Sequence, residues 1–118
     1  MKIIFVCSGN TCRSPLAESI AKSLLPNDSI ASRGLFAVEG QAISKESLEL
    51  IHKYGLPEPS LAQTFRIDDL DADIILTMTQ AHKDLIFSMY GRQSNVFTLN
   101  EYVGDTQEID DPFGGSFD

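Results

Sequence analysis

Lys2-Ile3-Ile4-Phe5-Val6-Cys7-Ser8-Gly9-Asn10-Thr11-Cys12-Arg13-Ser14-Pro15 is the stretch that decides the fold. Residues 2–6 are a short apolar run rich in branched side chains, which predicts a buried parallel strand. Ser14-Pro15 opens a helix, with Ser14 at the N-cap and Pro15 at the first helical position. Leu16, Ile20 and Leu24 recur at a spacing of four and predict its buried stripe, and Glu18 places a negative charge near its positive end. Between strand and helix lies C-x5-R-S. A loop that winds into a helix N-terminus turns backbone N–H groups inward and makes a nest for a phosphate-like anion. Gly9 and Asn10 tolerate the left-handed backbone that this winding needs. Arg13 can grip two oxygens of such an anion and stays charged at any working pH. Cys7 falls at the floor of the bowl. The helix N-terminus and Arg13 should favour its thiolate, making it a nucleophile at neutral pH. Ser14 can donate its hydroxyl to that sulfur.

Outward from this loop, strands alternate with helices. Residues 29–33 are a weak strand candidate, and residues 34–40 a loop with two exposed apolar residues, Leu35 and Phe36. Ser44 caps a second helix that ends at Gly55, with Leu48 and Ile51 facing in. Residues 73–78 form a second clear buried strand. Thr79 caps a further helix with His82, Leu85, Ile86, Met89 and Tyr90 on one face, closed by Gly91. Residues 95–99 are another strand, and the chain from Asn100 onward reads as loop. This alternation predicts an α/β domain with a parallel sheet, in which ligands sit beyond the C-terminal ends of the strands. Residues 7–14 and the loop carrying Asp111 both fall there.

The chain has 118 residues, the size of one domain, and a net charge of −8. That charge argues against a nucleic-acid backbone or an anionic membrane as partner. No apolar run is long enough to span a bilayer, and the four apolar residues before Cys7 are too few for a secretory signal. The expectation is a cytoplasmic protein. Two cysteines and the distant His52 and His82 do not compose a zinc site. The acidic cluster Asp68-Asp69-Asp71-Asp73 lacks the glycine and terminal glutamate of a calcium loop and reads as a solvated turn with capping roles. His52 and His82 read as surface or packing residues.

Residues 6–15 resemble the phosphate loop of the low-molecular-weight protein tyrosine phosphatases, and Asp111-Pro112-Phe113-Gly114-Gly115 resembles their acid loop. Ser32-Arg33-Gly34, the strand leading to Thr79, and Val96-Phe97-Thr98-Leu99 also fall where that family has counterparts. The resemblance implies a three-layer domain with a four-stranded parallel sheet in the order 2-1-3-4, a phosphocysteine intermediate, and no metal or cofactor. It assigns Cys7 as nucleophile, Arg13 as phosphate clamp, Ser14 as thiolate partner and Asp111 as acid, then base. Ser8, Gly9, Asn10, Thr11 and Cys12 complete the phosphate-binding loop with Arg13 and Ser14. Family members continue past the acid loop into a further helix, whereas this sequence stops at Asp118. The expectation is uncovered apolar surface on the first helix or the nearby sheet.

Two features are similar to the protein-arginine-phosphatase branch of the family. Thr11 stands where tyrosine-specific members carry an apolar branched residue, and Phe113 follows the acid-loop proline without a second aromatic. That resemblance implies phosphoarginine in proteins as substrate, with Phe36 and Phe113 as pocket walls. A guanidinium can lie against an aromatic face and donate to Asp111, and Thr11 supplies a polar contact that Ile or Val cannot. A neutral role for Thr11 and a core role for Phe36 are the plainer readings. The rival functions are a tyrosine phosphatase, an arsenate reductase and a non-catalytic phosphate-dependent binding protein. Arsenate reduction needs redox cysteines after Cys12, and there are none. A bridge between Cys7 and Cys12 on mild oxidation is expected. Oligomeric state is left open.

Overall fold

The computed structural model describes residues 1–11, 13–59 and 61–103. Strand β1 (Lys2–Cys7) leads into helix α1 (Arg13–Leu24), then β2 (Ser29–Gly34), α2 (Lys45–Lys53), a 3₁₀ turn (Ile67–Asp71), β3 (Ile74–Thr77), α3 (Gln80–Tyr90), β4 (Val96–Thr98) and α4 (Leu99–Val103). The strands pair in the order β2-β1-β3-β4, all parallel, as expected. Helices cover both faces because β1 is apolar on both. Ile4 and Val6 join Ile75, Val96 and Ile86 of α3 on one side. Ile3, Phe5 and Cys7 join Ile30, Leu76 and Met78 on the other, against Ala17 and Ala21 of α1. The strands' C-terminal ends thus lie along one edge, and the loop after β1 sits at the middle of it.

Local chemistry sets the helix ends. Ser44 caps α2, its Oγ accepting from the Ser47 amide at 3.3 Å. Thr79 caps α3 in the same way through the His82 amide. Gly55 and Gly91 stop these helices with φ of +63° and +85°, a region costly for other residues.

Several expectations are corrected. Ser14 is not the N-cap of α1 but its second residue, so Pro15 is the third. The buried face of α1 is Ser14, Pro15, Glu18 and Ser19, while Ile20 and Leu24 are 43% and 73% exposed. Polar partners account for this. Glu18, wholly buried, accepts from the Ser32 hydroxyl at 2.5 Å and pairs with Lys22 at 2.6 Å, and Ser19 donates to the Pro57 carbonyl. Leu35 is buried in the core rather than exposed, and Met89, expected on one face with His82 and Ile86, is exposed where those two are buried. Leu99 is helical rather than strand, and residues 100–103 are helical rather than loop. Thr98 and Glu101 satisfy each other's amides at 3.0 and 2.9 Å, a reciprocal cap written in the sequence as T-x-x-E. The acidic cluster keeps its expected capping role: Asp68, Asp69 and Asp71 lie in the 3₁₀ turn, where Asp69 caps Arg66 and pairs with Arg33 at 3.3 Å, and Asp73 accepts the Lys2 amide at 2.7 Å.

Candidate active site

The loop after β1 is held open by its own side chains. Asn10 has φ of +56°, while Gly9 is not in the left-handed region, so among the described residues of the loop the expected winding falls at Asn10. Asn10 is buried, and its side chain anchors the turn. Nδ2 donates to the Ser32 carbonyl at 3.3 Å and the Gln63 carbonyl at 3.5 Å, and Oδ1 accepts from the Ser14 hydroxyl at 2.9 Å. Asparagine suits this place because it tolerates the left-handed backbone and offers both a donor and an acceptor.

Cys7 ends β1 fully buried. Its Sγ lies 2.7 Å from the Ser14 Oγ and accepts from the Asn10 amide at 3.2 Å. Burial pushes the thiol above its ordinary value. The Ser14 hydroxyl, the Ser14 and Asn10 amides and the Arg13 charge pull it back, in that order, without offsetting the burial. The expectation of a thiolate favoured outright is therefore corrected: burial outweighs the donors. Their placement still singles out the sulfur as the atom on which this loop concentrates its hydrogen bonds.

Neighbouring elements fix the loop from outside. The Thr11 carbonyl accepts from the Ser44 amide at 2.7 Å, tying the loop to the start of α2. Beyond β2, the Leu35 amide donates to the Cys7 carbonyl and the Phe36 amide to the Ser8 carbonyl, both at 2.9 Å. This seats Phe36 beside the loop, with the residue 66% exposed. Gly34 makes the approach possible. A Cβ there would meet the Ser8 carbonyl oxygen at 2.6 Å, the Ala37 Cβ at 2.8 Å and the Asn10 nitrogen at 2.9 Å.

One residue read as surface or packing belongs at the site. His82 is 4% exposed, and its Nε2 lies 2.9 Å from the Ser8 Oγ. The signal available in the sequence was its position three residues after the cap Thr79, on a helix that starts at the C-terminal edge of the sheet. The structure brings Cys7, Ser8, Asn10, Thr11, Arg13 and Ser14 together, with Phe36 at the rim. Cys12, Asp111 and Phe113 lie outside the described residues.

A parallel sheet with a buried cysteine opening the loop after its first strand fits a cysteine-based phosphatase class, and the chain belongs to the low molecular weight phosphotyrosine protein phosphatase family, whose pattern matches residues 2–118. Low molecular weight protein-tyrosine-phosphatase PtpB of Staphylococcus epidermidis is 96% identical over 118 residues, covering all of this chain and 85% of that protein. A YwlE mutant from Bacillus subtilis superposes with a TM-score of 0.91 at 38% identity, over 98% of this chain and 83% of the other. YwlE arginine phosphatase, as a cysteine-to-serine mutant with a phosphorylated active-site serine, gives 0.90 at 38% identity, over 98% and 81%. No helix among the described residues is long and apolar enough to cross a membrane.

Proposed function

We propose that this phosphatase hydrolyses phosphoarginine in proteins through a phosphocysteine intermediate. The Cys7 thiol gives up its proton to the bound phosphoryl group, and the thiolate attacks phosphorus. An S–P bond forms, the P–N bond breaks, and Asp111 protonates the departing guanidine. Water then attacks the phosphocysteine with Asp111 as base, releasing orthophosphate and the thiolate, which Ser14 stabilises as it leaves by turning its one proton from the Asn10 Oδ1 to the sulfur. Arg13 and the loop amides of residues 8–14 hold the phosphoryl oxygens throughout. The 2.7 Å Cys7–Ser14 contact supports the thiol's role. The single observation that carries the substrate is Thr11 in the loop, in a chain whose structural neighbours include a protein named as an arginine phosphatase. Phe36 at the rim and Phe113 are read as the walls that receive the guanidinium. The same reading carries a cytoplasmic, single-domain enzyme acting on phosphorylated proteins, with a Cys7–Cys12 bridge under oxidation.

The second reading, a tyrosine phosphatase, is favoured by the name of the 96% identical staphylococcal relative. Turnover of phosphoarginine and phosphotyrosine peptides side by side separates the two. Thr11→Ile sharpens the test. Loss of the hydroxyl and gain of an apolar branch should cost about tenfold to a hundredfold in kcat/KM on phosphoarginine, with phosphotyrosine turnover kept or raised. An unchanged ratio makes Thr11 a bystander and moves tyrosine to first place.

A further inference from the structure

His82 touches the phosphate loop from a different element, and each of its ring nitrogens lies within hydrogen-bond distance of a hydroxyl. Its Nδ1 lies 3.1 Å from the Thr79 Oγ1, and its Nε2 lies 2.9 Å from the Ser8 Oγ. The Thr79 Oγ1 already accepts the His82 backbone N–H at 3.3 Å, as the α3 cap. A threonine hydroxyl has one proton to give. Nδ1, 3.1 Å away, stands as an acceptor for that proton. With Nδ1 accepting, the ring carries its proton on Nε2 and donates it to the Ser8 Oγ. The Ser8 hydroxyl then has its own proton left to direct elsewhere, and Ser8 is the first residue of the loop after Cys7.

We infer that His82 is a positioning residue: it holds Ser8 as a hydrogen-bond acceptor, so that the Ser8 O–H donates to a phosphoryl oxygen bound in the loop. The chain of donation runs from Thr79 O–H to Nδ1, from Nε2–H to Ser8 Oγ, and from Ser8 O–H to the anion. Burial of the ring keeps water from competing for either nitrogen, and α3 fixes its backbone. This assignment rests on the reading of residues 7–14 as a phosphate site, and it reaches beyond that reading to α3.

The test is binding of inorganic phosphate by calorimetry in the Cys7→Ser background, where no chemistry intervenes. His82→Ala and Ser8→Ala should each weaken binding by about tenfold, the order of one hydrogen bond to an anion. The double variant should bind no more weakly than either single one, because both remove the same donor. His82→Gln, whose amide reaches about as far as Nε2, should recover most of the loss. Nitrogen-15 NMR of the wild-type ring should find a proton on Nε2, and this reading needs no variant that could fail to fold. A ring without that proton, full affinity in His82→Ala, or additive losses in the double variant each overturn the assignment. A Cys7→Ser parent that does not bind phosphate at all overturns the loop reading first and this one with it.

Discussion

Two strand-to-helix joints lie side by side on the same edge of the sheet, and they solve the same problem differently. Where β3 meets α3, Thr79 alone caps the helix, its hydroxyl accepting the His82 amide. Where β1 meets α1, five residues intervene between Cys7 and Arg13, and Asn10 takes up a left-handed backbone to turn the chain. The Asn10 amide goes to the Cys7 sulfur, and the Ser14 hydroxyl meets both that sulfur and the Asn10 side chain. The short joint uses a hydroxyl oxygen as acceptor to finish a helix. The long joint gathers its donors around a nucleophile. Helix starts are sites only when the connecting chain leaves donors directed at a common point.

The comparison breaks most visibly at the sulfur. Cys7→Ser should abolish turnover while leaving part of the phosphate affinity, because the nest and Arg13 stay. Trapping the phosphoryl group and mapping it to a residue other than Cys7 would sink the mechanism. Gly34→Ala should come next. The new Cβ meets backbone atoms of Ser8 and Asn10, which cannot swing aside as a flexible side chain could. A loop displaced by a fraction of an ångström to an ångström should lose about a hundredfold in kcat/KM. The melting temperature, read alongside, separates a shifted loop from an unfolded chain, and unaltered activity would show that the loop's position is not critical.

Much of this architecture was legible. The apolar runs gave β1, β3 and β4, and Ser44, Thr79, Gly55 and Gly91 gave the limits of α2 and α3. C-x5-R-S located the candidate site. What escaped was decided by partners distant in the chain. The Leu16, Ile20 and Leu24 stripe has good helical spacing, yet α1 buries Glu18 because Ser32, 14 positions on, is there to pair with it. Leu35 and Phe36 are adjacent and both apolar, and only the crossing of the chain past the loop sends one into the core and the other to the rim. His82 looked like a packing residue because its partner Ser8 is 74 positions away. The Thr98–Glu101 cap, by contrast, is local, and its pattern was readable.

Ser14→Ala tests the long joint more finely. The Ser14 hydroxyl is foremost among the contacts that pull the thiol down against burial. Its loss should raise the thiol further, so iodoacetamide labelling of Cys7, followed by peptide mapping against pH, should shift to higher pH than in the wild type. The wild-type curve itself should lie above that of an ordinary thiol, about 8.5. The sign carries over to stability. A folded-state value raised above the unfolded one contributes stability that is present below about pH 8.5 and lost as pH rises through the folded value. Melting temperature should therefore fall on the alkaline side in the wild type, and that fall should be absent from Cys7→Ser. A labelling curve unmoved by Ser14→Ala would mean the hydroxyl does not act on the sulfur.

The smallest effect belongs to the short joint. Thr79→Ala removes an N-cap acceptor, and such caps are worth about 1 kcal/mol. For a chain of this size that is roughly 3–6 °C in melting temperature. Thr79→Ser keeps an oxygen in the same place and should retain most of the stability. Neither change reaches the Cys7 sulfur, since Thr79 bonds only His82 through its hydroxyl among the described residues. The pH curve of Cys7 labelling should therefore stay at its wild-type position in both variants. One hydroxyl deleted at each joint then gives two different readouts: a displaced titration at Ser14, and a lower melting point with an undisturbed titration at Thr79. If Thr79→Ala moves the Cys7 curve as far as Ser14→Ala does, the two joints are one electrostatic unit, and the division between a capping joint and a chemical joint is wrong.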